Sequence, residues 1–171
     1  MNTLEIVLFR HAERNKFIED EPQLSPYGLK QAHYLSEHRE TLKLPKPTNI
    51  WVSPRLRAQQ TMSPLSKVCG IALALKSDLD ERKSNETMLD FRQRIDRLIK
   101  GLSAQNGVIY LCSHLDWIEE AMSFFETDSD LLNQPGAHWS TAQFLELNYD
   151  FTNEIWRKIK TGQACPKITS I

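Results

Sequence analysis

Two apolar runs each end in a histidine, and this repeated arrangement constrains the fold more than any other feature of the 171-residue chain. Ile6-Val7-Leu8-Phe9 stops at Arg10-His11, and Val108 to Cys112 stops at Ser113-His114. A short, continuous apolar run bounded by polar residues reads as a strand buried on both faces, as in a parallel sheet. Open α/β sheets place their ligand crevices at the carboxyl ends of such strands. Both histidines are therefore expected on one rim.

The segments between these runs supply the crossovers. Ala12 to Gln23 is polar and without period, so it reads as a loop leaving the first strand. Ser25-Pro26 starts a helix, with serine as N-cap and proline at the first helical position. Leu29, Ala32 and Leu35 define its inner face, to about Leu42, where Leu44-Pro45-Lys46-Pro47 ends it. Asn49 to Val52 is a second strand, and Ser53-Pro54 repeats the serine-proline start for a helix running to Cys69 and closed by Gly70. That helix turns its positive amino end to the same rim, with Arg57 in its first turn.

Ile71 to Leu75 reads as a third strand and Ser77 to Glu86 as a polar loop. Phe91, Ile95, Leu98, Ile99 and Leu102 form one apolar stripe of a helix starting near Asn85. Leu115 to Phe125 reads as the helix after the second histidine, and Asp128 to His138 as a loop. Ala142–Asn148 and Ile155–Ile159 alternate apolar and polar residues and read as an antiparallel hairpin at the sheet edge. The chain is thus expected to be one domain over 1–171, with its core at about 4–160 and a tail over 161–171.

Hydrophobic residues make up 40% of the chain, and 21 basic against 22 acidic residues leave no global field to attract nucleic acid or an anionic membrane. Any anion site must be local. Cys69, Cys112 and Cys165 have no metal-ligand spacing. Cys112 is expected in the core and Cys165 as an exposed thiol near the end. An odd cysteine count, with neither a signal peptide nor a long apolar span, points to the cytoplasm.

The strand ends bring Arg10, His11, Arg57 and His114 together. Two arginine forks bind a phosphoryl group bidentately. A neutral histidine can attack phosphorus and carry the phosphoryl group covalently, and a cationic one can balance charge in the transition state. A carboxylic acid must protonate the leaving atom, and Glu81 and Glu13 are both candidates. This cationic cage calls for no metal and no cofactor.

The residues also match a known pattern. Phe9-Arg10-His11-Ala12-Glu13, Leu24 to Ala32 (L-S-x-x-G-x-x-Q-A) and Ser53 to Thr61 (S-P-x-x-R-A-x-Q-T) resemble the motifs of the histidine phosphatase superfamily, which includes phosphoglycerate mutases and acid phosphatases. Leu79-Asp80-Glu81, Arg94 in an F-x-x-R helix, and Ser113-His114 continue the resemblance in order. It implies a three-layer α/β sandwich with helices on both faces of a mainly parallel sheet and an antiparallel edge strand. It implies His11 as the phosphorylated nucleophile, Arg10, Arg57 and His114 as the phosphate pocket, and Glu81 as the acid. The short chain is most similar to the branch of bacterial phosphohistidine phosphatases related to SixA. The partner would be a small phosphorylated molecule or a phosphorylated protein. The alternative is a catalytically weak or inactive phospho-ligand binding module on the same fold.

Two departures stand out. Leu115 occupies the place of the family's usual glycine, where with Trp117 it is expected to narrow the pocket. Arg14 and Asn15 stand near the place of the usual threonine and asparagine, and Glu13, Arg14, Asn15 and Leu115 are the candidate substrate contacts. Ala12–Gln23, Ser77–Glu86 and Asp128–His138 are expected to wall the pocket, with Trp117 and Trp139 more suited to the core.

Overall fold

The computed structural model describes residues 3–17, 21–131 and 139–165. Six strands form one sheet: β1 (Leu4–Arg10), β2 (Asn49–Val52), β3 (Leu73–Leu75), β4 (Gly107–Ser113), β5 (Gln143–Asp150) and β6 (Ile155–Gln163). Their order is β3-β2-β4-β1-β5-β6. The first four are mutually parallel, while β5 is antiparallel to both β1 and β6. The single reversed strand therefore lies one place inside the edge, and β6 is the edge itself.

Side chains alternate across this sheet, as the two-residue period of a strand requires. Leu4, Ile6 and Leu8 of β1, with Ile109 and Leu111 of β4, enter one core. It is filled by α3 (Met88–Leu102) and α4 (Leu115–Ala121). Val7, Phe9, Tyr110 and Cys112 enter the opposite core, against α1 (Pro26–His38) and α2 (Leu56–Cys69). Burial on both faces explains why β1 and β4 read as unbroken apolar runs. The three-layer α/β sandwich is the observed architecture.

Several local expectations change. Ser25 does cap α1, accepting from the Gly28 backbone N–H, but Leu29 is exposed, and Gln31 and Ser36 join Ala32 and Leu35 on the buried face. Helix α1 ends at His38, short of Leu42. Ser53 does not cap α2: Arg55 holds that place without a side-chain cap. Gly70 closes α2 at φ 70°, a left-handed turn that glycine adopts without strain.

Strand β3 starts at Leu73, a 3-10 turn occupies Ser77–Leu79, and α4 is shorter than expected. All five residues of the α3 stripe are buried. Cys165 is buried rather than exposed, because β6 runs through Gln163 and carries Ala164 and Cys165 against the sheet. Residues 132–138, most of the expected third wall, and 166–171 of the tail lie outside the described residues. No described helix is long and apolar enough to cross a membrane.

Candidate active site

The strand ends meet as expected. The His11 backbone N–H donates to the Ser113 carbonyl at 3.0 Å, locking the ends of β1 and β4 together. Arg10, His11, Arg57, Glu81 and His114 line one cavity of about 550 Å³, together with Glu13, Arg14 and Leu115. Lys16, Asp116, Glu119 and Thr141 complete its lining. Asn15 does not line it. Its side chain accepts from the Phe17 backbone N–H at 3.0 Å and closes a local turn instead.

Arg57 is the hub. Fully buried in the first turn of α2, it donates from Nε to His11 Nε2 at 3.4 Å. Its NH2 group reaches Glu81 Oε2 at 2.5 Å and His114 Nδ1 at 3.1 Å. The two imidazoles lie 5.1 Å apart, centroid to centroid. His11 Nδ1 lies 2.7 Å from the Ala12 carbonyl, an oxygen that can only accept. The ring proton therefore sits on Nδ1 and the Nε2 lone pair faces the cavity. Arg10 donates to the Trp139 carbonyl, while its Nε is buried with no hydrogen-bond partner among the described residues.

Burial is the largest influence on both histidines, and it disfavours their charged forms. His11 is pushed down to about 3 by desolvation; the Ala12 hydrogen bond opposes this, while Arg57, Arg10 and Arg14 add to it. His114 is also strongly lowered, by desolvation, then by His11 and the surrounding arginines. Two buried neutral histidines thus stand among arginines, of which Arg57 is paired with the Glu81 carboxylate.

The motif residues hold this arrangement from outside. The Ala12 N–H donates to Thr61 Oγ1 at 2.9 Å, and the Thr61 hydroxyl donates to the Arg57 carbonyl. Gln31 accepts from the Glu13 N–H at 2.8 Å and reaches across to Thr141. Gln60 accepts from the Leu24 N–H. A methyl group at Gly28 would collide with the Glu13 carbonyl, so glycine is required for α1 to approach the loop.

Arg94 grips the loop that carries Glu81, donating to the Asp78, Asp80 and Glu81 carbonyls and pairing with Glu86. The Leu56 N–H at the start of α2 is occupied by the Glu21 carboxylate at 2.7 Å, so the helix offers the cavity its Arg57 side chain and not that backbone group.

Leu115 causes no backbone strain. It is the first residue of α4 and is absent from the residues with positive φ, so the position does not need glycine here. Trp117 does not narrow the cavity, because it is fully buried and donates from Nε1 to the Asp78 carbonyl at 2.6 Å. Trp139 is likewise buried in the core.

Residues 6–86 match the family model described as histidine phosphatase superfamily (branch 1). The matched part, just under half of the chain, holds Arg10, His11, Arg57 and Glu81. Among solved structures, the fold recurs in the protein histidine phosphatase SixA complexed with tungstate. That likeness has a TM-score of 0.72 at 12% identity, covering 95% of this chain and 98% of that one. A mycobacterial glucosyl-3-phosphoglycerate phosphatase with inorganic phosphate gives 0.66 at 17% identity, covering 94% and 98%. A phosphoserine phosphatase from Entamoeba histolytica gives 0.69 at 15% identity, covering 94% and 97%. At these identities the likeness establishes the fold. No curated protein matches the chain in sequence.

Proposed function

We propose that this chain is a cytoplasmic, metal-independent phosphatase that passes a phosphoryl group through His11. The observation that carries the reading is the cluster of arginines and neutral imidazoles in the cavity. There, the His11 Nε2 lone pair faces a buried arginine, beside a second neutral histidine and an arginine whose buried Nε has no partner among the described residues. A phosphoryl group suits that cluster, with its oxygens accepting from Arg10 and Arg57.

His11 Nε2 forms a bond to phosphorus as the bond to the leaving oxygen or nitrogen breaks. Glu81 gives that leaving atom a proton. Water then attacks the phosphohistidine, Glu81 takes its proton, and orthophosphate leaves. Glu81 is held by Arg57; an arriving phosphoryl group competes for that guanidinium and releases the carboxyl group. Glu13 accepts from the Ser25 hydroxyl at 2.7 Å, which ties it to the cap of α1 and favours Glu81 as the acid. Arg14, Lys16 and Glu119 at the cavity lining are suited to reading the rest of a small phosphorylated molecule or a phosphorylated protein side chain.

The test is hydrolysis of an aryl phosphate in excess chelator, comparing wild type with His11→Ala. Turnover that survives the chelator and disappears in the variant is expected. Phosphate binding without turnover would instead favour a phospho-ligand binding module.

A further inference from the structure

Behind His114, away from the cavity, lies a polar chain that none of the roles above uses. His114 Nε2 is 2.7 Å from Ser53 Oγ, and Ser53 Oγ is 3.4 Å from Asp80 Oδ1. All three residues are buried. The Arg55 backbone N–H also donates to Ser53 Oγ, at 3.2 Å. Asp80 Oδ1 in turn accepts from Arg55 Nε at 2.8 Å and from the Glu81 N–H at 3.0 Å.

Counting donors and acceptors decides where the protons sit. A serine hydroxyl has one hydrogen to give and two lone pairs. The Arg55 N–H takes one lone pair. The Arg57 NH2 group can only donate, so His114 Nδ1, 3.1 Å away on the cavity side, presents its lone pair and the ring proton sits on Nε2. Nε2–H then donates to the remaining Ser53 lone pair at 2.7 Å. The hydroxyl hydrogen is left to point at the Asp80 carboxylate, which is ion-paired with Arg55 and can only accept.

We propose that Ser53 and Asp80 are positioning residues that fix His114 as the Nε2–H tautomer and support the positive charge it takes when a phosphoryl group enters. This rests on the phosphoryl-transfer reading above. The groups facing His114 are His11, Arg57, Arg55 and Arg10, with Glu81 Oε2 at 3.9 Å from Nδ1, and burial first of all keeps the ring neutral. An incoming phosphoryl oxygen would meet the Nδ1 lone pair and be repelled. Uptake of one proton from water at Nδ1 turns that repulsion into a charge-assisted hydrogen bond. Nε2–H continues to donate to Ser53, and the Asp80 charge lies at the far end of the chain. No proton moves along the chain: Asp80 acts by charge and orientation, in the manner of a buried carboxylate behind a catalytic imidazole.

The same aspartate also holds the Glu81 N–H. One carboxylate therefore sets the position of both the histidine and the acid. The arrangement also gives a reason for serine at the head of the Ser53-Pro54 motif that helix capping does not supply.

The test reads the His114 ring nitrogens by NMR, with inorganic phosphate as probe, in wild type, Ser53→Ala and Asp80→Asn. Thermal unfolding of each variant establishes that it is folded. In free wild type, His114 is expected as the Nε2–H tautomer. On adding phosphate, it should become doubly protonated and hold that proton to a pH at least about one unit higher than in Ser53→Ala, a tenfold difference in proton affinity. Ser53→Ala should also show a mixture of tautomers, and folded Asp80→Asn should lose the phosphate-linked proton uptake.

An Nδ1–H tautomer in wild type, or identical titrations in wild type and Ser53→Ala, would overturn the proposal. The tautomer is read without turnover. A protein with the expected tautomer and no hydrolysis would therefore overturn the phosphatase reading while leaving the positioning role intact.

Discussion

The two ends of β1 both bury titratable groups, yet only one of them is a site. At the amino end, Glu5 packs near Glu146 of β5, whose carboxylate lies 3.2 Å from Lys160 Nζ of β6. Desolvation is the largest influence on Glu5, followed by its hydrogen bond to Glu146, and together they push it up to about 7. Lys160 also donates to the Leu42 and Lys43 carbonyls. The compensating charges are therefore all internal: two carboxyl groups, a lysine and shared protons.

At the carboxyl end, desolvation pushes His11 and His114 the opposite way, and arginines add to the shift, while Glu81 pairs with Arg57 at their side. A second anion has room to arrive there, in a cavity of about 550 Å³. A perturbed group marks a site when its compensation is external and has room to arrive.

The most damaging way to break this contrast is to remove the hub of the carboxyl end. Arg57→Ala should lower kcat/KM for an aryl phosphate by roughly 10²–10³-fold, the usual cost of losing one donor to transition-state charge. Steady-state kinetics on the folded variant would check it.

Next comes the support beneath Glu81. Arg94→Met, at a buried position, removes the clamp on the Asp78–Glu81 carbonyls and leaves Glu86 unpaired. It should destabilise the protein by about 3 kcal/mol in urea unfolding, as expected for one half of a buried pair.

The pH dependence of stability sharpens the contrast, because the two ends carry opposite signs. His11 titrates lower in the folded than in the unfolded chain, so the unfolded state binds protons first as pH falls. Stability present above about pH 6.5 should decline as pH is lowered toward 3, and saturating phosphate should oppose that decline through linkage.

Glu5 titrates higher in the folded chain, so its contribution is present below the ordinary carboxyl range and lost as pH rises through about 7. Glu5→Gln, which imitates the protonated acid, should raise the urea midpoint modestly at pH 8. It should leave the midpoint unchanged near pH 4, and phosphate should have no bearing on the difference.

Much of this was legible in the residues because local and tertiary signals agree. Strands β1 and β4 are apolar on both faces, the α3 stripe is regular, and Arg10, His11, Arg57 and His114 sit where strand ends and a first turn place them, whereas Glu81, in a loop, is singled out from Glu13 only by the resemblance. What escaped notice depends on contacts distant in sequence. Gln31 reads as an ordinary polar helix residue until its bonds to Glu13 and Thr141 are seen, and nothing local points to Ser53 as a partner of His114.

Ala142 adopts φ 58°, a left-handed conformation that alanine does not advertise, and its N–H donates to the His11 carbonyl beside Thr141 in the cavity wall. Cys165 looks like a tail residue because sequence does not reveal how far β6 extends along β5. At Leu115 the chain enters α4 directly with no positive φ, so a β-carbon in place of the usual glycine is harmless to the backbone.

The account stands or falls on the His11 Nε2 lone pair. Wild-type protein turning over an aryl phosphate should be quenched in alkali, where phosphohistidine survives, and peptide-mapped by mass spectrometry. One phosphoryl group on His11, absent from His11→Ala, is the predicted result. Turnover with no phosphoprotein, or turnover undiminished in His11→Ala, would contradict it.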